Sequence, residues 1–196
     1  MNEEILFESL DRIYVTSGRR GSIYRCEYNH HHYCFKKALS KEFVSNIQRE
    51  ILVLQKIKTL NLSRYTHLLT AWSDRFVCDW IEGLSFDVVW EKALFPKKQL
   101  LYQLLERAYI LDTHHIEHGE LHRPMSNVLV DRHGEVYLID FDQGSFGNTH
   151  YKNLRHIMQW MLREKLISLE QVKLFASYPG KKLYENLLQC KEKIVE

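Results

Sequence analysis

Asn127 and Asp140 bracket two short apolar runs, Val128-Leu129-Val130 and Tyr137-Leu138-Ile139. Between the runs lies Asp131-Arg132-His133-Gly134, whose residue types favour a tight turn. The segment therefore reads as a hairpin. A turn centred on His133-Gly134 sets Asn127, entering the first strand, opposite Asp140, leaving the second. Neither residue is a good strand former. An amide and a carboxylate converging at one end of a hairpin are hard oxygen donors, the kind that a phosphate-bound Mg²⁺ takes from protein.

A second pair lies in the first third of the chain. Phe43, Ile47, Ile51, Leu54 and Ile57 recur at helical spacing, and Glu50 falls within that apolar stripe. A carboxylate on a buried face is costly unless paired, and removing one partner of such a pair costs about 3–5 kcal/mol. Lys36 interrupts the apolar strand Tyr33-Cys34-Phe35 and is the natural partner. Upstream, Thr16-Ser17-Gly18-Arg19-Arg20-Gly21-Ser22-Ile23 follows a G-x-G-x-x-G-x-V nucleotide loop at two of its three glycine positions, with Thr16 at the first. Glycines there allow backbone N–H groups to approach phosphate oxygens. A hairpin that simply needs two glycines would look the same.

These residues require elements to carry them. Residues 11–16, 22–28 and 32–38 read as strands, with a helix through Phe43–Ile57 and a further strand over Arg75–Ile81 ending in the turn Glu82-Gly83. His30-His31-His32 reads as the tip of a strand connection. A second helix is expected from about Lys98 to His115, with Leu101, Leu104, Leu105, Ala108 and Leu111 on one face. From about Thr149 the chain looks helical, broken at Pro179-Gly180. Strands first and helices later predict an α+β fold with a β-rich lobe over residues 1–82 and an α-rich lobe over 83–196.

Composition narrows the functional classes. The 27 basic residues nearly balance 25 acidic ones, so no electrostatic footprint for nucleic acid is present. Hydrophobic residues at 45% are ordinary for a globular protein and argue against disorder. The four cysteines are scattered without a C-x-x-C pair, which fits a reducing compartment. The acidic start Met1-Asn2-Glu3-Glu4 is unlike a signal peptide, and no run approaches the ~20 apolar residues of a membrane span. The expectation is a cytoplasmic protein with no membrane partner.

The densest cluster is His118-Gly119-Glu120-Leu121-His122-Arg123-Pro124, followed by Asn127-Val128-Leu129-Val130 and Ile139-Asp140-Phe141-Asp142. With the glycine loop, Lys36, Glu50 and the hinge-like Val77-Cys78-Asp79-Trp80-Ile81-Glu82-Gly83, it resembles the protein-kinase-like superfamily from Thr16 to about Trp160. More narrowly it looks like the small predicted Ser/Thr protein kinases of archaea and some bacteria, distant relatives of the RIO kinases. The resemblance implies a two-lobed fold with an abbreviated α-helical C-lobe and a Mg·ATP (or Mn·ATP) pocket between the lobes. It implies that Lys36 contacts the ATP phosphates, that Glu50 anchors it, and that Asn127 and Asp140 hold the metal. It also places Thr16, Gly18, Gly21, Ile23, Asp79 and Ile81 among the nucleotide-binding residues. Glu120 would be the catalytic base for an acceptor hydroxyl on a protein or a small molecule.

Three departures stand out. Kinases carry Asp at the position of Glu120 and Asn five residues later, whereas Asn127 is seven residues on; either two residues are inserted or His122 is the base. Asp142 replaces the glycine of Asp-Phe-Gly, which would stiffen that turn or add a carboxylate to the metal site. Nothing resembles Ala-Pro-Glu, and with 54 residues after Asp142 the usual peptide-docking subdomain is not expected. His118-Gly119-Glu120-Leu121-His122 also resembles the H-G-D-L-H of aminoglycoside and choline kinases, so a small-molecule kinase is one alternative and a nucleotide-binding pseudokinase another. A zinc protease is excluded, because H-E-x-x-H needs Glu directly after the first His on a continuous helix, and Pro124 stops one here.

Overall fold

The computed structural model describes residues 7, 10–147 and 150–191. The acidic start Met1–Glu4 and the point near Thr149 where helix was expected to begin lie outside them. The chain is α+β and forms two compact units, one of residues 1–81 with 141–143 and one of 82–140 with 144–196. A single break near residue 82 does not include the return at Phe141–Gln143.

Unit 1 is built on strands β1 (Arg12–Ser17), β2 (Gly21–Tyr28), β3 (His31–Ala38), β4 (Leu68–Ala71) and β5 (Arg75–Asp79) in the order β1-β2-β3-β5-β4. All neighbours are antiparallel. Asn29 and His30, both at positive φ, form a two-residue turn that fits the right-handed strand twist. Helix α1 (Val44–Thr59) packs with Ile47, Ile51, Val53, Leu54 and Ile57 buried. Phe7, Cys26, Phe35 and Val77 form a separate buried cluster in the same unit. The expected Arg75–Ile81 strand ends at Asp79. β4 has no expectation behind it: its four residues are too few to show a period.

Unit 2 begins with β6 (Gly83–Ser85), so Gly83 opens a strand where a turn was expected. Helices α2 (Phe86–Glu91) and α3 (Lys97–Thr113) follow, then β7 (Ile116–Glu117), α4 (Pro124–Asn127), β8 (Val128–Asp131), β9 (Val136–Leu138) and β10 (Ser145–Phe146). The last elements are helices α5 (Lys152–Arg163), α6 (Leu169–Ala176) and α7 (Gly180–Lys191). Phe86, Trp90 and Trp160 pack ring against ring at the core. Leu100, Leu101, Leu104, Leu105, Ala108 and Leu111 of α3 are fully buried. The second break in the helical remainder, at residues 164–168, was not expected. Ser168 and Gln171 close a capping box there, a signal the sequence does carry.

The β8–β9 hairpin has a different register from the one expected. Val128 faces Leu138 and Val130 faces Val136, so Asn127 stands opposite Ile139 and Asp140 lies one residue beyond. The cause is a three-residue loop: Asp131 N–H bonds the Glu135 carbonyl at 3.0 Å, and Gly134 takes a φ of 79°. Asn127 is also not in the strand but ends the helical turn α4. Gln103 of α3 holds the hairpin, accepting from Val136 N–H at 3.0 Å and donating to the Gly134 carbonyl at 2.8 Å.

Candidate active site

Lys36 lies on β3 and is buried at 7% exposure, with Glu50 of α1 at 3%. Lys36 Nζ sits 2.7 Å from Glu50 Oε2, so the pair expected from the apolar stripe is formed. The second oxygen, Oε1, accepts the backbone N–H of Phe141 at 3.2 Å. Phe141 is the residue after Asp140, and this bond ties the Asp140-Phe141 segment to the ion pair.

Register brings Thr16 and Ile23, which flank the glycine loop, onto the same row as Lys36. Thr16 faces Ile23 across β1–β2, and Ile23 faces Lys36 across β2–β3. Directly opposite residues share a sheet face, so Thr16, Ile23 and Lys36 line one surface. A bulge between Tyr14 and Thr16 sets this register. Gly21 is closely packed: a Cβ there would lie 3.2 Å from the Lys37 carbonyl oxygen and 3.3 Å from Lys36 Cε, so these neighbours would have to shift by a few tenths of an ångström. Gly18 has open space, and its N–H bonds the Gly21 carbonyl at 3.0 Å. That bond closes the loop between β1 and β2.

Asp142 is held by the glycine loop. Arg20 Nη1 donates to Asp142 Oδ1 at 2.9 Å and Oδ2 at 3.0 Å, and Asn46 donates to its carbonyl at 3.3 Å. Its carboxylate is thus engaged within unit 1. Spacing gave no hint of this contact, because Arg20 and Asp142 are 122 residues apart.

Asp79 and Ile81 lie at and just beyond the end of β5. Asp79 closes β5, pairing with Tyr33. Its carboxylate lies 3.5 Å from His67 Nδ1, and burial raises its pKa against the lowering effect of His67. Ile81 is half-buried beyond the strand end.

In unit 2, Glu120, Asn127 and Asp140 gather. Glu120 and Asp140 offer carboxylate oxygens within 4.8 Å of each other. Asn127 is buried and donates from Nδ2 to the Glu120 carbonyl at 3.1 Å. Its Oδ1 accepts from Ser126 Oγ at 3.4 Å. Between Glu120 and Asn127 the chain makes a turn, in which Arg123 N–H bonds the Glu120 carbonyl at 3.0 Å. His122 faces elsewhere: its ring meets His156 edge to face, and its carbonyl accepts from Arg163.

Asp140 has φ of 64°, a left-handed conformation that Asp tolerates better than most residues but that still carries strain. The residue before it is fixed by His118, whose Nε2 bonds the Ile139 carbonyl at 2.9 Å. His118 is fully buried, and burial pushes its pKa down to about 4 despite the nearby Asp140 charge. At neutral pH it is therefore uncharged, with Nε2 as the donor. Behind it, Asn153 accepts the His118 backbone N–H at 2.9 Å and donates to the Ile116 carbonyl at 2.7 Å. Asp112 accepts from Asn153 Nδ2 at 2.8 Å and from Leu154 N–H at 3.0 Å, which satisfies the start of α5. Single-residue patterns could not have revealed His118, Asn153 and Asp112 as one network.

No protein-family model matches this chain, and no curated protein matches it either. Among the described residues, no helix is long and apolar enough to cross a membrane.

Proposed function

We propose that this chain is an ATP- and Mg²⁺-dependent phosphotransferase of the protein-kinase-like, two-lobed kind, moving the γ-phosphate to a hydroxyl, in the first instance of a serine or threonine on a protein. The observation that carries the reading is the buried Lys36–Glu50 pair at 2.7 Å, whose second carboxylate oxygen takes the N–H of the residue after Asp140. A buried ion pair adds little net stability compared with apolar residues of similar volume. A lysine held there is better explained by an anionic ligand, and nucleotide phosphates suit it.

The donor set agrees with the metal. Asn127 Oδ1 and the carboxylates of Asp140 and Glu120 are hard oxygens, suited to Mg²⁺ or Mn²⁺ and poorly suited to softer ions. When bound, the cation neutralises charge on the phosphates. Asn127 and Asp140 would hold it, and Lys36 would steady the α- and β-phosphates. Glu120, anchored through its carbonyl by Asn127, would accept the proton of the acceptor hydroxyl as that oxygen attacks. Burial keeps His118 neutral, so its ring holds the Ile139–Asp140 backbone without adding positive charge beside the cation.

The test is thermal unfolding with ATP, with and without Mg²⁺, followed by ADP release. A ligand at a hundred times its Kd stabilises by about 2.7 kcal/mol, so a Mg²⁺-dependent rise in Tm is expected. Asp140→Ala should lose that rise and any turnover. Absence of a shift in the intact protein would refute the reading. A shift without phosphoryl transfer would make the chain a pseudokinase, and labelled metabolite in place of labelled protein would make it a small-molecule kinase.

A further inference from the structure

Cys34 on β3 and Cys78 on β5 stand directly opposite each other. The Ala38 N–H bonds the Asp74 carbonyl at 2.9 Å in the same ladder. Stepping by two along the register makes Cys34–Cys78 a hydrogen-bonded pair, for which Cα atoms are about 5.5 Å apart. A disulfide asks for about 4.4–6.8 Å. Opposite residues also share a face, so both thiols point to the same side of the sheet.

That face is the one carrying Lys36, two residues beyond Cys34, and Phe76, two residues before Cys78. The remaining cysteine of the sheet, Cys26, belongs with Phe35 and Val77 to the cluster on the opposite face. Cys190 lies in unit 2. All four cysteines are reduced; Cys78 is buried and Cys34 half-buried. The neighbouring Cys34 thiol, together with burial, holds the Cys78 thiol well above its ordinary pKa. Cys78 is thus poorly suited to first attack and well placed to resolve a product formed on Cys34.

We propose that Cys34 and Cys78 form a peroxide-responsive dithiol that closes a cross-strand disulfide on the Lys36 face of the sheet. The Cys34 thiolate attacks one peroxide oxygen. An S–O bond forms, the O–O bond breaks, and the departing oxygen leaves as water, giving Cys34 sulfenic acid. The Cys78 sulfur then attacks the Cys34 sulfur; the S–S bond forms, the S–O bond breaks, and the hydroxyl leaves as a second water with the Cys78 proton. Two thiols are oxidised and one peroxide is reduced. A thiol reductant reverses the bond by exchange. The dithiol stands independently of the phosphotransferase reading.

The experiment treats the whole native chain with hydrogen peroxide, caps the remaining thiols with N-ethylmaleimide, and maps a non-reducing digest by mass spectrometry. The expected result is loss of two of the four thiols, with the Cys34 and Cys78 peptides joined and both thiols restored by dithiothreitol. Cys26 and Cys190 should remain capped in full. Cys34→Ser should abolish the link, and Cys78→Ser should leave a Cys34 sulfenic acid that dimedone traps. In concentrated urea the wild-type pairing should scatter among the cysteines, a control that does not depend on any variant folding. A link through Cys26, oxidation of Cys34 to sulfinic acid while Cys78 stays capped, or no loss of thiols in the native chain would overturn the proposal.

Discussion

Replacing Lys36 and Glu50 singly and together gives the most decisive energetic test of the site. Lys36→Met removes the ammonium and leaves the Glu50 carboxylate, 3% exposed, without its counter-charge. The Phe141 N–H still donates to it at 3.2 Å, so the loss should fall at the lower end of the roughly 3–5 kcal/mol typical of a broken buried pair. Glu50→Leu leaves the ammonium without that carboxylate and also takes the acceptor from Phe141 N–H, which adds about 1–3 kcal/mol. The double variant carries neither charge, so only the Phe141 term remains. On these figures the singles should sum to more than the double by about 6 kcal/mol, beyond the ~0.5–3 kcal/mol usual for coupled neighbours. Urea unfolding of all four proteins, read separately by tryptophan fluorescence and circular dichroism, supplies the cycle. Coincident transitions are required for the arithmetic. Additivity within about 0.5 kcal/mol would refute the claim that the two side chains act as one buried pair, and with it the anchor on which the phosphate reading depends.

Glu120→Ala should lower turnover about 10²–10⁴-fold, the usual worth of a general base, while His122→Ala should stay within a few-fold; equal losses in ADP release would count against Glu120. His118 makes stability depend on pH. Its pKa falls from about 6.5 in the unfolded chain to about 4 in the fold. The unfolded state takes up a proton first as pH drops, so folding should weaken between about pH 6.5 and 4, by about 3 kcal/mol in all, with no contribution above that window. In His118→Gln the slope of urea midpoint against pH should flatten over this range, and an unchanged slope would show that another group is responsible. Arg20→Ala should cost about 1–3 kcal/mol, since the Asp142 side chain is only 5% exposed. Arg19→Ala, at an exposed position in the same loop, should stay within about 0.5 kcal/mol.

Glu50 shows what can be learned from one position. Its place in the stripe of Ile47, Leu54 and Ile57 required burial, and burial required a cation, so the partner could be named before any coordinates. The hairpin was only partly readable. Its apolar runs and turn residues announced two strands, yet a two-residue and a three-residue loop share the same composition. Only the φ of Gly134 and the closing bond from Asp131 to Glu135 decide between them. The choice shifts every pairing by one residue, which is why Asp140 lies past Ile139 and not opposite Asn127.

By itself the chain's order of residues marked the longer strands β1, β2, β3 and β5 and the helices α1 and α3, because period-2 and period-3.6 patterns are local properties of neighbouring side chains; β4, β6 and the break at 164–168 carry no such pattern. The α+β class followed from those patterns, and the Lys36–Glu50 pairing from the cost of leaving a carboxylate unpaired on a buried stripe. Contacts between distant segments needed the folded chain. The grip of Arg20 on Asp142, the His118–Asn153–Asp112 network behind Asp140, and the facing thiols of Cys34 and Cys78 depend on register and on where loops return. Those follow from packing the whole molecule, and no short stretch of sequence encodes them.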